Sequence, residues 1–407
     1  MLADVPIVLI LVGLAAYAVL AGADFGAGFW TLVSGGGRVS HEGTREHARH
    51  AMGPVWEANH VWLIFIIVVC WTAYPVAFGS IASTLEIPLF IAALGIILRG
   101  TSYALRGQLD DSPGQRAVER VFAFSSILTP FALGTVVGGI ASGRVPVGNA
   151  QGDLVRSWLN GTSILIGVLT VVFSAYLAAV YLAADARRLG EQALELDFRA
   201  RALAAGVVAG ALALAGLVVV HHDAHPLWHG LTTGPGLAMI CVSVAAGVLT
   251  LALVAVSRFE LARGSAALAV AAIIAGWALA QEPQFLPGLT ISQAAAGRSS
   301  LIALLIAVAA GAVILVPSLT LLFHLFLHGH LVPATEPAPA VSEHGFATDA
   351  LPARALAPLA GASLGVGVVL MVLLDSGWAH LVGVLCLFAA AGSVFALAAT
   401  GPEDTAA

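Results

Sequence analysis

About eleven times along this chain of 407 residues, an apolar run is long enough to cross roughly 30 Å of hydrocarbon. The runs lie near 5–33, 54–74, 76–105, 118–141, 157–184, 199–220, 233–257, 264–281, 298–327, 355–374 and 379–399. A bilayer core has no water to satisfy backbone N–H and C=O groups, so each run must close its own hydrogen bonds as an α-helix. The expected fold is therefore an all-α polytopic membrane protein, multi-pass in the cell membrane. The composition agrees: 59% of residues are hydrophobic and 10% charged, and the mean hydropathy is +0.96, well outside the soluble range.

Arginine placement orients the helices. All 17 basic residues are Arg. With the N-terminus outside, the cytoplasmic connections hold Arg38, Arg45 and Arg49, then Arg99, Arg106, Arg116 and Arg120. They also hold Arg187, Arg188, Arg199, Arg201, Arg258, Arg263 and Arg354, leaving only Arg144, Arg156 and Arg298 outside. That asymmetry is the positive-inside pattern, and it puts the C-terminus in the cytoplasm. A formal charge of −6 gives no reason to expect a nucleic-acid partner. Cys70, Cys241 and Cys386 each sit in an apolar run without CxxC spacing and read as small packing residues. No basic n-region or small-residue cleavage site precedes the first run, so it is expected to stay as a membrane helix.

The chain divides by composition. Residues 1–330 form a nine-helix body, 331–353 a Pro/Ala-rich linker, and 354–407 a transmembrane hairpin and tail. Within the body, Gly22/Gly26, Gly134/Gly138 and Gly206/Gly210 repeat the small-xxx-small spacing that lets membrane helices approach closely.

Polar residues inside the spans mark candidate sites, because ionisable groups at membrane depth are costly and need a partner, a cavity or an ion path. Trp56-Glu57-Ala58-Asn59-His60-Val61-Trp62 follows Gly53-Pro54 and runs into a purely apolar stretch. Glu57 and His60 share a helix face. Asp24 lies about 13 Å from the cytoplasmic end of the first helix, and Glu57 starts the second from the same side. The two carboxylates could pass protons inward; alternatively, Asp24 is held in helix packing and Glu57 is a first-turn acid favoured by the helix dipole. Glu86 falls about ten residues into the third run, too deep to snorkel, with His60 as a candidate partner. His221-His222-Asp223-Ala224-His225 resembles a metal tract, but no second cluster closes it, so no metal site is assigned. Axial haem ligation needs facing His, Met or Cys, and with four Met in the chain haem binding by this chain alone is not expected.

Several ordered blocks are similar to subunit II of the cytochrome bd-type quinol oxidases. They are Gly22-Ala23-Asp24-Phe25-Gly26-Ala27-Gly28, Gly53-Pro54 through Trp62, Gly95 through Gly100, Pro130 through Gly134, Tyr181 through Arg188, Gly276 through Pro283 and Leu286 through Ile291. The resemblance implies two four-helix bundles plus a peripheral helix. It also implies a subunit that is not catalytic on its own, beside a haem-bearing subunit I that carries haems b and d. Quinol and dioxygen are then the substrates of the complex, and a structural quinone is compatible with the family. By motif match, Asp24 and Glu57 fall on the family's proton route and Trp62 near its dioxygen path. Trp56, Asn59, His60 and Glu86 take supporting places. The family's Glu57 position is aspartate in some relatives, and Glu86 and Glu282 stand where aromatic residues are more usual. The hairpin at 355–399 lies outside the family body and can cover a groove that a small single-span accessory subunit fills in relatives. A proton-coupled transporter is the alternative, but such a protein should show broken helices in matching halves, and no convincing pair is present.

Overall fold

The computed structural model describes residues 2–33, 41–106, 113–327 and 353–373, with isolated positions between 382 and 393. The side chains of 49–58 and of some other helical positions lie outside that description. The chain forms two units, Met1–Leu331 and Val332–Ala407.

Among the described residues the first unit is mostly helical. Its helices are α1 (Val5–Val33), α2 (His41–Ala73), α3 (Pro75–Thr84), α4 (Glu86–Arg106), α5 (Pro113–Ala141) and α6 (Gly161–Arg188). They continue as α7 (Gln192–Asp223), α8 (His225–Thr232), α9 (Gly234–Ala255) and α10 (Phe259–Gln281). A two-stranded hairpin, β1 (Gln284–Leu286) and β2 (Leu289–Thr290), leads to α11 (Ile291–Ala294) and α12 (Arg298–Leu327). Among the described residues, eight helices are long and apolar enough to cross a membrane, and α2 adds a shorter apolar stretch, Asn59–Ala73. The neighbour relations resolve into the expected plan. Helices α1, α2, α4 and α5 form one bundle, α6, α7, α9 and α10 the other, and α12 lies against α2. In the second unit, α13 (Ala353–Leu373) matches the tenth apolar run. The linker and most of the eleventh run lie outside the described residues.

Helix α6 is the shared wall. It packs on α1 and α5 on one side and α7 and α10 on the other, and Leu177–Val180 are essentially fully buried. Glycines let α1 and α5 reach it. A Cβ on Gly26 would run into the Ser174 carbonyl, and one on Gly138 would meet the Ser163 backbone. Gly22 and Gly134 face α6 as well, through Leu177 and Gly167. Two of the three small-residue pairs are thus crossing points. The third is half one, since Gly206 packs on Tyr176 and Leu251 while Gly210 meets nothing within 4 Å.

Prolines redraw two expected boundaries. The run 76–105 is two helices broken at Leu85. Pro88 has no N–H to bond the preceding turn, so it ends α3 and sits in the first turn of α4, where none is needed. Glu86 is therefore an exposed first-turn residue at a helix end, not a carboxylate at the membrane centre. Helix α2, conversely, starts at His41 and runs straight through Gly53-Pro54. Its early turns are anchored, with Arg45 on Glu119 of α5 at 2.7 Å and the His47 ring bonded to the Leu182 carbonyl of α6 at 2.9 Å. Glu57 is consequently in the helix interior rather than its first turn.

The end bearing the α1 N-terminus is closed by a compact cap. Val69, Tyr74, Leu85, Val145, Leu286 and Leu301 share one apolar cluster. The turn Leu286-Pro287-Gly288-Leu289 uses proline to fix φ and Gly288 to supply φ +78°. Arg144 clasps Asp223 at 2.6 and 3.1 Å, and Asp223 accepts from the Thr162 N–H and hydroxyl. This joins the segment after α5 to the ends of α6 and α7.

Replacing Gly26 by Val should collapse the α1–α6 crossing, because the obstacle is backbone and cannot turn aside. The expected cost is about 1–3 kcal/mol or more, whereas Gly210→Val should stay within ~0.5 kcal/mol. Thermal melting of the detergent-solubilised protein, followed by size exclusion, separates the two.

Candidate functional site

Eight consecutive residues of α1, Ala21–Gly28, are buried. A helix buried all round at this level needs small side chains, and Ala and Gly supply them everywhere except at Asp24 and Phe25. Asp24 is 2% exposed. Its carboxylate is met by Arg99 of α4, also 2% exposed, with Arg99 Nη2 donating to Asp24 Oδ1 at 2.6 Å and to the Asp24 carbonyl at 3.0 Å. Arg99 Nη1 donates to the Ser126 hydroxyl of α5, which in turn donates a hydrogen bond to the Phe122 carbonyl at 2.6 Å. The Tyr103 hydroxyl is a further partner of the carboxylate.

Aromatic faces complete the Arg99 site. The guanidinium carbon lies 4.2 Å from the centre of the Phe122 ring, 4.9 Å from Phe25 and 5.8 Å from Tyr103. Quadrupoles of such rings favour a cation where water is excluded. Gly28 makes the room: a Cβ there would collide with the Ser126 hydroxyl and press on Arg99. The arrangement binds α1, α4 and α5 at one level through two charges, a hydroxyl and three rings.

The other sequence-derived candidates divide around this centre. His60 on α2 is half-buried. It cannot partner Glu86, because it lies thirteen residues before Ala73, about 20 Å down the helix. Trp62 packs with Tyr17, Ala21 and Phe25 and meets Phe65 edge-on at 6.3 Å between centroids. Asn59 is 2% exposed, and among the described residues neither atom of its amide has a hydrogen-bond partner. Trp56 and Glu57 belong to α2, but their side chains lie outside the described residues. Among the described residues, no three His, Cys, Asp or Glu side chains gather where they could hold a metal. The tract at His221 spans the end of α7 and the start of α8, and Asp223 is committed to Arg144 and Thr162.

Sequence reasoning missed Arg99, which it placed with the cytoplasmic arginines. The signal was available in depth. Asp24 is nine residues from the end of α1 and Arg99 seven from the end of α4, so the two lie about 13 and 10 Å in from the same side. Opposite charges at matched depth are each other's natural partners.

Removing one member of a buried pair leaves the other uncompensated. Arg99→Met should cost about 3–5 kcal/mol, and the double variant Arg99→Met with Asp24→Leu should recover most of it. A double-mutant cycle on melting in detergent reads the coupling directly; additivity of the two changes would show that the pair is not a unit.

Comparison with known proteins now has a geometry to meet. Residues 2–326 match the family model for cytochrome bd terminal oxidase subunit II. Cytochrome bd ubiquinol oxidase subunit 2 of Bacillus subtilis is 30% identical over 168 residues, 40% of this chain and 48% of that protein. Cytochrome bd-I ubiquinol oxidase subunit 2 of Escherichia coli K12 is 25% identical over 213 residues, 50% of this chain and 54% of that protein. The chain thus spans about half the length of these curated relatives in the matched regions. In fold, it resembles the bd oxidase of Geobacillus thermodenitrificans with a TM-score of 0.66 at 23% identity, covering 80% of this chain and 99% of the other. With nearly the whole helical body inside one family model, this chain belongs to the cytochrome bd terminal oxidase subunit II family.

Proposed function

We propose that the chain is the subunit without haem ligands in a membrane quinol oxidase, seated in the cell membrane with its arginine-rich end toward the cytoplasm. A haem-bearing sister subunit with haems b and d would supply the electron transfer and dioxygen reduction. The complex oxidises quinol and reduces dioxygen to water. The family match over residues 2–326 carries this reading and removes the support for a transporter. A single-span accessory subunit and a structural quinone are further components that the family likeness makes reasonable.

Within this reading, Glu57 and Asp24 form the subunit's proton route, and Trp62 borders an apolar path for dioxygen. The support is a carboxylate, Asp24, buried within the helical body about 13 Å in from the end of α1. A second reading is favoured by one observation: the Arg99 clasp on Asp24 is what a packing lock between helices requires. Under it, Asp24 orders the bundle and carries no protons.

Co-expression with the adjacent gene should yield a complex whose reduced-minus-oxidised spectrum shows haem, and neither haem nor a co-purifying partner would defeat the oxidase reading. In that complex, Glu57→Gln and Asp24→Asn should each lower quinol-driven proton uptake roughly tenfold or more. Full uptake in both variants leaves the lock.

A further inference from the structure

We propose that Asn59 anchors an internal water that carries protons one step inward from Asp24. The inference rests on the proton-route reading above and extends it to a residue with no role there beyond support.

Asn59 is placed by its helix. Asn59, Leu63 and Ile66 follow i, i+4, i+7 spacing and share a face of α2. Leu63 and Ile66 pack on Tyr17, Ala21 and Phe25 of α1. Gly13 of α1 faces Phe65 and Ile66, so the antiparallel pair brings Asn59 level with about residue 20 of α1, roughly one turn inward of Asp24. By the same register Glu57 is about level with Gly22. Counted from the arginine-rich end, the order is Asp24, Glu57, Asn59 and then Trp62. Glu57, two residues before Asn59, lies on the other side of α2, so on the face turned to α1 Asn59 is the polar side chain that precedes the apolar wall of Trp62, Leu63 and Ile66.

The amide itself points to the ligand. A side-chain amide offers two N–H donors and two acceptor lone pairs, and at Asn59 none is matched among the described residues although the residue is 2% exposed. Burying such a group dry is unfavourable, and water, with two to four polar partners, is the smallest occupant that relieves it. A packing residue at this position would gain more from Leu or Met. A water held by Asn59 can accept a proton from the side of Asp24 as it releases one inward, so that no atom or charge accumulates at the step.

Substitutions that differ in the room they leave discriminate this from packing. In the purified oxidase complex, Asn59→Leu fills the space with hydrocarbon, whereas Asn59→Ala opens it to water. Proton uptake should fall about tenfold in Asn59→Leu with the haem spectrum unchanged, and Asn59→Ala should retain clearly more. A packing role predicts the reverse order, since Ala leaves a cavity and Leu does not; that order, or parental uptake in Asn59→Leu, overturns the proposal. Should the Leu variant fail to assemble, Asn59→Val takes its place in the same comparison. Full uptake in both Glu57→Gln and Asp24→Asn means that the route itself is absent. Slowed uptake there with an unaffected Asn59→Leu removes the Asn59 step alone.

Discussion

A carboxylate and a guanidinium facing each other inside a bundle of membrane helices govern the local architecture. Neither Asp24 nor Arg99 is tolerable alone at this depth, and each makes the other possible. The demand spreads outward. Arg99 has to thread between α1 and α5, so Gly28 has no side chain and Ser126 offers a small hydroxyl. Its planar cation needs faces, which Phe25 and Phe122 provide. The contacts together set the rotation and depth of three helices, a task that lipid-like side chains cannot perform with comparable directionality. A buried pair of this kind adds little net stability. Its contribution is register.

Three different devices therefore hold the body together. At the level of Asp24, directional polar contacts tie α1, α4 and α5. Against α6 the agent is shape, with Gly22, Gly26, Gly134 and Gly138 bringing backbones close and Leu177–Val180 filling what remains. In a bilayer the hydrophobic effect does not drive helices together, so dispersion across close backbones has to do so. At the capped end a third device appears, with Arg144, Asp223 and Thr162 fastening helix ends where water again competes.

The helical body was legible because long apolar runs admit one backbone solution in lipid: eight of the nine predicted spans of the body each fall on a single helix, and the run 76–105 is divided between α3 and α4. What the runs concealed was punctuation. Pro88 breaks a continuous apolar stretch, and only its position four residues after Thr84 betrays that α3 must stop there. Gly53-Pro54 misled in the opposite sense: it reads as a helix start, yet His41–Met52 forms helix too, pinned by Arg45 and His47 to α5 and α6. Those anchors are long-range contacts and leave no local periodicity. At the site, Asp24 stood out as a lone charge in an apolar helix. Arg99 did not, because arginines near helix ends ordinarily serve topology. Its removal from the cytoplasmic set leaves the charge asymmetry intact, and so the topology argument gave no warning.

The same lattice bears on where protons can move. A carboxylate that holds three helices in register through Arg99 has its reorientation tied to theirs, which favours a fixed waypoint over a swinging carrier. Helix α2 stands differently. It carries Glu57, Asn59 and His60 past this lattice and contributes none of the groups that bond or stack on Arg99 among the described contacts. Motion along a route in this subunit is therefore most readily supplied by α2 side chains and water. Asp24 would then be the stationary waypoint of the proposed route, held in place by Arg99. On that division of labour the polar side chains of α2 would set the rate of the proposed route, and the Asp24–Arg99 pair would hold the bundle that positions them.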